Sequence, residues 1–414
     1  MGPSVTRLLA AAALAAGVAV GAVGSAAGAA SGGPSPRLTV NPQPPGPVPA
    51  QYAAEYAAVS GQVAAFGKDA GTPPASASTT VGTELLSANG NIGAPLLAPG
   101  AINGVSNELN AFRALGVTGV TVDVSFPLLL PSTAGAAGYR AFYEQVASQV
   151  RARHMVLSVE ENPIFSGTPL TSLSISYAGL TLASYAAEQR TQAQTIIDDL
   201  HPAYLSLLTE PDTFTDTLGI SLDTPRNATA VVRAELTGLR RHGTLVGAGT
   251  GTWSSPAIDA ALLRGTAINY LDVHVYPIAP VGVANLLTDV AAAQHTGKTL
   301  VMDETWLNKP TPTSGDGPAG APESLKVKSY SFWEPLDQTF VTSMLEYVRT
   351  QGFAYVAFFD GARAFFGYLD WSPALEAATY QQFSMEYNRL VAADMASLTI
   401  SRTGYALVQA IGTA

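Results

Sequence analysis

Tyr204-Leu-Ser-Leu-Leu-Thr-Glu210-Pro211 and Thr299-Leu-Val-Met-Asp-Glu304-Thr-Trp306 are two short runs of strand-forming residues, each closing on a glutamate. A third run, Tyr270-Leu-Asp-Val-His-Val-Tyr-Pro277, lies between them. A carboxylate at the exit of a buried strand is costly to desolvate unless it is paired or used, so two such exits call for a chemical explanation.

Outward from these runs the same rhythm repeats. Strand candidates are Thr80 to Leu86, Val117 to Phe126, His154 to Val159, Ala203 to Thr209, Thr244 to Gly247, Ile268 to Tyr276, Thr299 to Asp303 and Phe353 to Phe359. Between them fall helical candidates: Ser106 to Leu115, Tyr139 to Arg153, Leu182 to Leu200, Pro225 to Arg241, Pro256 to Arg264, Val283 to His295 and Leu336 to Thr350. Asp223-Thr-Pro225 offers a capping residue and a first-turn proline, and Gly243, Gly265, Gly297 and Gly352 stand where helices should stop. Eight βα units suit a (β/α)₈ TIM barrel of the α/β class, with the tail from Ala374 to Ala414 supplying the last helix and a closing element. An open nucleotide-binding sheet is the rival, but the chain has neither Gly-x-Gly-x-x-Gly nor a P-loop.

Composition agrees with one large core: apolar residues make up 47% of 414 and charged residues 13%, which excludes a disordered chain. Cysteine is absent, so nothing rests on disulfides or thiolate chemistry. A net charge of −10 disfavours nucleic acid or an anionic membrane as partner and fits a neutral substrate.

Arg7 followed by the apolar or glycine run Leu8 to Gly24 reads as a secretory signal, with small-x-small cleavage sites at Ser25-Ala-Ala27 and Ala27-Gly-Ala29. An uncleaved anchor is the rival reading, since the run approaches the ~20 residues that span a bilayer. The expected layout is therefore a signal over 1–29, a linker and extension over 30–78 and a barrel domain over 79–414, placed outside the cell or on its surface.

In a barrel the chemistry sits where strands end, so Glu210 and Glu304 are expected at one mouth. Asp272, His274 and Tyr276 share a strand face because side chains alternate with period two. Asp303 competes with Glu304 for the inward direction on the same ground. His154, His201, His242 and His295 precede strands and fall at the opposite end, which argues against a histidine metal centre. All four tryptophans, Trp253, Trp306, Trp333 and Trp371, follow strand ends and offer faces for sugar rings. Glu160 and Glu161 close the third strand and could bond hydroxyl groups; Asn162 and Asp123 are further candidates. No Gly-x-Ser-x-Gly elbow supports a serine hydrolase.

Thr209-Glu210-Pro211 resembles the strand-four Asn-Glu-Pro of clan A glycoside hydrolases. Asp303-Glu304-Thr-Trp306 resembles their strand-seven nucleophile, and Asp272-Val-His274-Val-Tyr276 is similar to their strand-six His-x-Tyr. The resemblance implies Glu210 as acid/base, Glu304 as nucleophile and Tyr276 as the hydroxyl that holds the nucleophile. It implies a retaining enzyme on a β-linked neutral glycan. From the histidine positions no metal is expected, nor is a cofactor, and the chain is expected to act as a monomer. His274, Tyr276, Trp306, Trp253, Glu160, Trp333 and Trp371 are the expected substrate contacts. Two departures stand out: Thr209 replaces the asparagine that meets the sugar 2-hydroxyl, and Phe358-Phe359-Asp360 stands where a strand-eight tryptophan is common. A catalytically idle glycan-binding barrel is the alternative reading.

Overall fold

The computed structural model describes residues 37–72, 78–168, 170–276, 278–310 and 326–412. The expected signal over 1–29 lies outside them, and no helix among the described residues is long and apolar enough to cross a membrane.

Eight parallel strands close into a barrel: β1 (Thr80–Glu84), β2 (Gly119–Asp123), β3 (Val156–Glu160), β4 (Tyr204–Ser206), β5 (Leu245–Gly251), β6 (Tyr270–His274), β7 (Thr299–Thr305) and β8 (Tyr355–Phe358). Closure is made by β1, which pairs with both β2 and β8. Helices fall between successive strands, as the alternating pattern requires. Pro225–Leu236 opens as its sequence suggests, with the Thr224 hydroxyl accepting from the Asn227 N–H at 3.2 Å and proline in the first turn. The helix Glu334–Gln351 stops at Gly352, which takes the left-handed conformation at φ 77°.

The strand expected over Thr244 to Gly247 runs on to Gly251. Its inward positions Gly247, Gly249 and Gly251 carry no side chain, so alternation could not reveal it. The glycines make room: a Cβ on Gly247 would lie 2.1 Å from the Tyr270 ring. The N-terminal extension, too, is packed onto the barrel. Thr39–Val40 pairs in parallel with Thr399–Ile400, and the helix Ala53–Asp69 lies on Glu334–Gln351.

Period two sorts the barrel interior into layers. At the floor Tyr204 lies with its ring centroid 5.5 Å from Tyr270 and 5.6 Å from Tyr355. Above them Thr121, Ser206, Asp272 and Asp303 form a polar layer, with the Ser206 hydroxyl 2.6 Å from Asp272 Oδ2 and 3.0 Å from Asp303 Oδ2. The top layer, at the carboxyl ends of the strands, is acidic.

Candidate active site

Glu84, Asp123, Glu160, Glu210, His274 and Glu304 fill that top layer, and each is 3% exposed or less. His274 is its centre. One ring nitrogen, Nδ1, lies 3.0 Å from Glu210 Oε1, and the other, Nε2, lies 3.0 Å from Glu160 Oε1. The Tyr276 hydroxyl donates to Glu304 Oε2. One oxygen each of Glu210 and Glu304, with a ring nitrogen of His274, all lie within 4.8 Å of one another. Glu160, Asp272 and His274 meet the same limit. Both triplets are close enough to surround a cation. Both are built on His274, whose two nitrogens each lie within hydrogen-bond distance of a carboxylate oxygen, at 3.0 Å.

Backbone features aim these groups. Glu210 caps the short helix Pro211–Leu218, and its Oε2 accepts from the Thr213 hydroxyl one turn on, at 2.7 Å. The competition between Asp303 and Glu304 is resolved by a bulge: between Met302 and Thr305 strand β7 has one residue more than β8 spans. An extra residue breaks strict alternation, so Asp303 reaches Ser206 in the polar layer while Glu304 reaches Tyr276 in the mouth.

The charges are strongly perturbed. Burial pushes the Glu304 carboxyl well above the usual range and the Glu160 charge adds to it, while His274 pulls the other way. For His274 burial favours the neutral ring, but the carboxylates of Glu160 and Glu304 outweigh it and hold the imidazolium well above its ordinary range. The ion pairs of Glu160, Glu210 and Glu304 run to His274.

Aromatic rings flank the carboxylates. Trp253 stacks on Tyr276 at 4.9 Å, and its indole N–H donates to Asp212 Oδ2 at 3.0 Å. Trp306 meets Tyr276 edge-on at 5.4 Å and leans on Phe359 at 6.0 Å. Phe359, Leu86, Phe165 and Leu170 make a small apolar cluster apart from the main core, with Trp306 and Tyr380 against it.

The other two tryptophans are elsewhere. Trp333, expected to stack on sugar, is 0% exposed, with Phe332 at 5.0 Å and Tyr56 at 5.4 Å over its ring. That expectation is corrected: the N-terminal extension covers the ring and leaves no face for a ligand. Trp371 is half-buried and bonds Glu376, which also holds Gln51 and Tyr52. Glu161, adjacent to Glu160, points out of the barrel and faces Glu235. His274 and Glu160 stand in the mouth as expected, but their polar atoms are committed to each other and to Glu210 and Asn162.

Sequence reasoning missed Glu84, which closes β1 and would have been found by the strand-end logic used for Glu210. It also missed Lys328, whose ammonium sits 4.2 Å over the Trp306 ring and 3.5 Å from Asp360. Burial lowers this lysine to about 8. Nothing in the local sequence marks it.

No known protein family's sequence profile matches this chain, and no curated protein sequence does. Solved structures do. The glycoside hydrolase GH5_18 from Bifidobacterium longum superposes with a TM-score of 0.51 at 12% identity, over 81% of this chain and 79% of that one. A variant of it bound to Manβ1-4GlcNAc gives 0.51 at 13% over 81% and 78%. A GH30 endoxylanase from Clostridium papyrosolvens gives 0.46 at 12%, over 82% and 72%. At such identities the likeness is one of fold, and the chain has the (β/α)₈ barrel fold of clan A glycoside hydrolases.

Proposed function

We propose that this protein is an exported, retaining glycoside hydrolase that cleaves a β-linked neutral glycan or glycoside. The observation that carries the reading is the spacing of Glu210 and Glu304, which bring one oxygen each to within 4.8 Å at the carboxyl ends of β4 and β7. Retaining enzymes hold their two carboxyls about 5 to 5.5 Å apart, whereas inverting enzymes leave about 6.5 to 9.5 Å for a water. The short separation favours direct attack by one carboxylate.

On this reading Glu210 protonates the leaving oxygen while Glu304 attacks the anomeric carbon to form a glycosyl ester. Tyr276 steadies the Glu304 carboxylate before attack and is released as the ester forms. Glu210, now ionised, takes a proton from the water that hydrolyses the ester. Trp253 and Trp306 lend ring faces to flanking sugars. The carboxylates of Glu84, Asp123, Glu160, Glu210 and Glu304 disfavour an acidic sugar at the cleavage point, while the Lys328 ammonium is engaged with Trp306 and Asp360.

The idle-barrel alternative rests on Thr209. Its hydroxyl donates to Asn162 Oδ1 at 2.9 Å, so it is occupied within the protein. The close carboxylate pair argues for the active reading, because an idle site has no need to hold two acids together. Export rests on the segment from Arg7 to Ala29. The test is an aryl β-glycoside panel assayed with the wild type and Glu304→Gln, with the first-formed anomer read by NMR. Undiminished activity in the variant sinks the assignment, and an inverted anomer sinks the retaining step.

A further inference from the structure

The mouth contains a hydrogen-bonded chain that the two-glutamate scheme does not use. Thr209 Oγ1 donates to Asn162 Oδ1 at 2.9 Å, which orients the amide so that its Nδ2 donates to Glu160 Oε2 at 3.1 Å. Glu160 Oε1 lies 3.0 Å from His274 Nε2, and His274 Nδ1 lies 3.0 Å from Glu210 Oε1. The far oxygen of Glu210 accepts from Thr213 at 2.7 Å. Asn162 donates to one oxygen of Glu160; with Glu160 as a carboxylate the other oxygen also accepts, and Nε2 then carries a proton. Only the contact between Nδ1 and Glu210 is left open. Its proton belongs either to the ring or to the carboxyl, and the heavy atoms need not move for it to cross.

We infer that Glu160 is a positioning residue: through His274 it keeps within the His274–Glu210 contact the proton that the leaving oxygen requires. This rests on the glycosidase reading and goes beyond it. The balance closes. At rest the three groups share two protons, one on Nε2 and one between Nδ1 and Glu210 Oε1. Forming the glycosyl ester sends the second proton to the leaving oxygen, and hydrolysis returns one from the attacking water to Glu210. The logic is that of a carboxylate behind a histidine behind the proton-carrying group.

Other groups face the chain as well. Glu304 and Asp272 each bring an oxygen to 3.8 Å from the His274 ring, and the Tyr276 hydroxyl is 3.5 Å away. Glu84 from β1, Asp123 from β2 and Asp303 from β7 sense the Glu160 charge. All are acidic or neutral, so removing the Glu160 charge lowers the pH at which the shared proton is lost.

Glu160→Gln preserves the shape and deletes the charge, keeping an acceptor for Nε2–H at the loss of the Asn162 contact. The basic limb of its kcat/KM profile should move toward acid by roughly one unit or more. A dinitrophenyl glycoside, whose leaving group needs no acid, should keep its rate within a few-fold, whereas an alkyl glycoside should lose about 10²-fold, the scale of general-acid catalysis. Glu160→Asp, which keeps the charge, should restore the limb. An unmoved limb, or equal losses with both leaving groups, overturns the assignment. A merely structural glutamate would give that equal loss. Nitrogen-15 NMR of wild-type His274 tests the same point without activity: a ring lacking the Nε2 proton overturns it even if Glu160→Gln does not fold. If instead Glu304→Gln keeps full activity, the glycosidase reading falls first and the tautomer measurement still stands.

Discussion

Glu160 and Glu161 are neighbours in sequence, are the same residue type and are both 0% exposed, yet they sit in different worlds. Glu160 points into the barrel, where Asn162 and His274 occupy its two oxygens. Glu161 points out toward the helices. The side-chain amide of Gln192 stands beside it, and its charged neighbour is Glu235, another acid, whose two oxygens have no hydrogen-bond partner. A buried carboxylate is thus not by itself a sign of chemistry. What distinguishes the mouth is the donors assembled around each acid, and that assembly is costly to build unless it is used.

Each face of this comparison can be broken by substitution. On the inner face Glu304→Gln should lower kcat/KM by about 10³-fold or more, because the group that forms the intermediate is gone. Aryl glycoside release under matched folding checks it. Trp333→Ala tests a buried aromatic outside the mouth: it should cost roughly 3 to 5 kcal/mol of stability in denaturant titration while the surviving folded enzyme keeps its kcat/KM. Loss of activity in folded protein would return Trp333 to the site.

Tyr276→Phe removes a hydrogen bond to a buried carboxylate, worth about 1.5 to 3 kcal/mol, and should slow formation of the intermediate by roughly 10- to 100-fold in pre-steady-state kinetics. Trp253→Ala removes a sugar-facing ring and should raise KM about tenfold or less with kcat nearly kept, measured on an oligosaccharide substrate.

The smallest effect belongs to the outer face. Burial and the neighbouring Glu235 push Glu161 well above the usual carboxylate range, so the folded state holds its proton longer than the unfolded one. That contribution is intact below the ordinary carboxyl range near 4.5 and is lost as pH climbs from there toward the raised folded value. Glu161→Gln escapes the loss. Its melting temperature should exceed that of the wild type at pH 8 by roughly 1 to 3 °C, with no gain at pH 4 and unchanged kcat/KM. A gain of equal size at both pH values would mean that Glu161 is not held protonated.

The legible part of the fold was whatever has a period or a signal residue. Val117 to Phe126 and Ile268 to Tyr276 declared themselves by branched and aromatic runs, and Thr224-Pro225 declared a helix start. β5 was half hidden because its inward positions are glycines, chosen for the room they leave rather than for any pattern. The helix Ala53–Asp69 had a recognisable spacing but no visible destination, since its burial depends on Glu334–Gln351, nearly three hundred residues away. Trp333 was misplaced for the same reason: its position after a strand is local, while the ring that covers it, Tyr56, comes from the far end of the chain.

The sequence by itself determined the unit count, the strand ends and the shared face of Asp272, His274 and Tyr276, because alternation and βα rhythm are local properties of the chain. It could not decide between Asp303 and Glu304. A one-residue bulge against β8 turns both inward at different depths, and a bulge exists only between two paired strands. Nor could it place His274 of β6 between Glu160 and Glu210, at the ends of the paired strands β3 and β4, because that contact crosses the interior of the closed barrel. Distances of 3.0 Å and the protons they share are properties of closure, and they are where the chemistry of this protein is set.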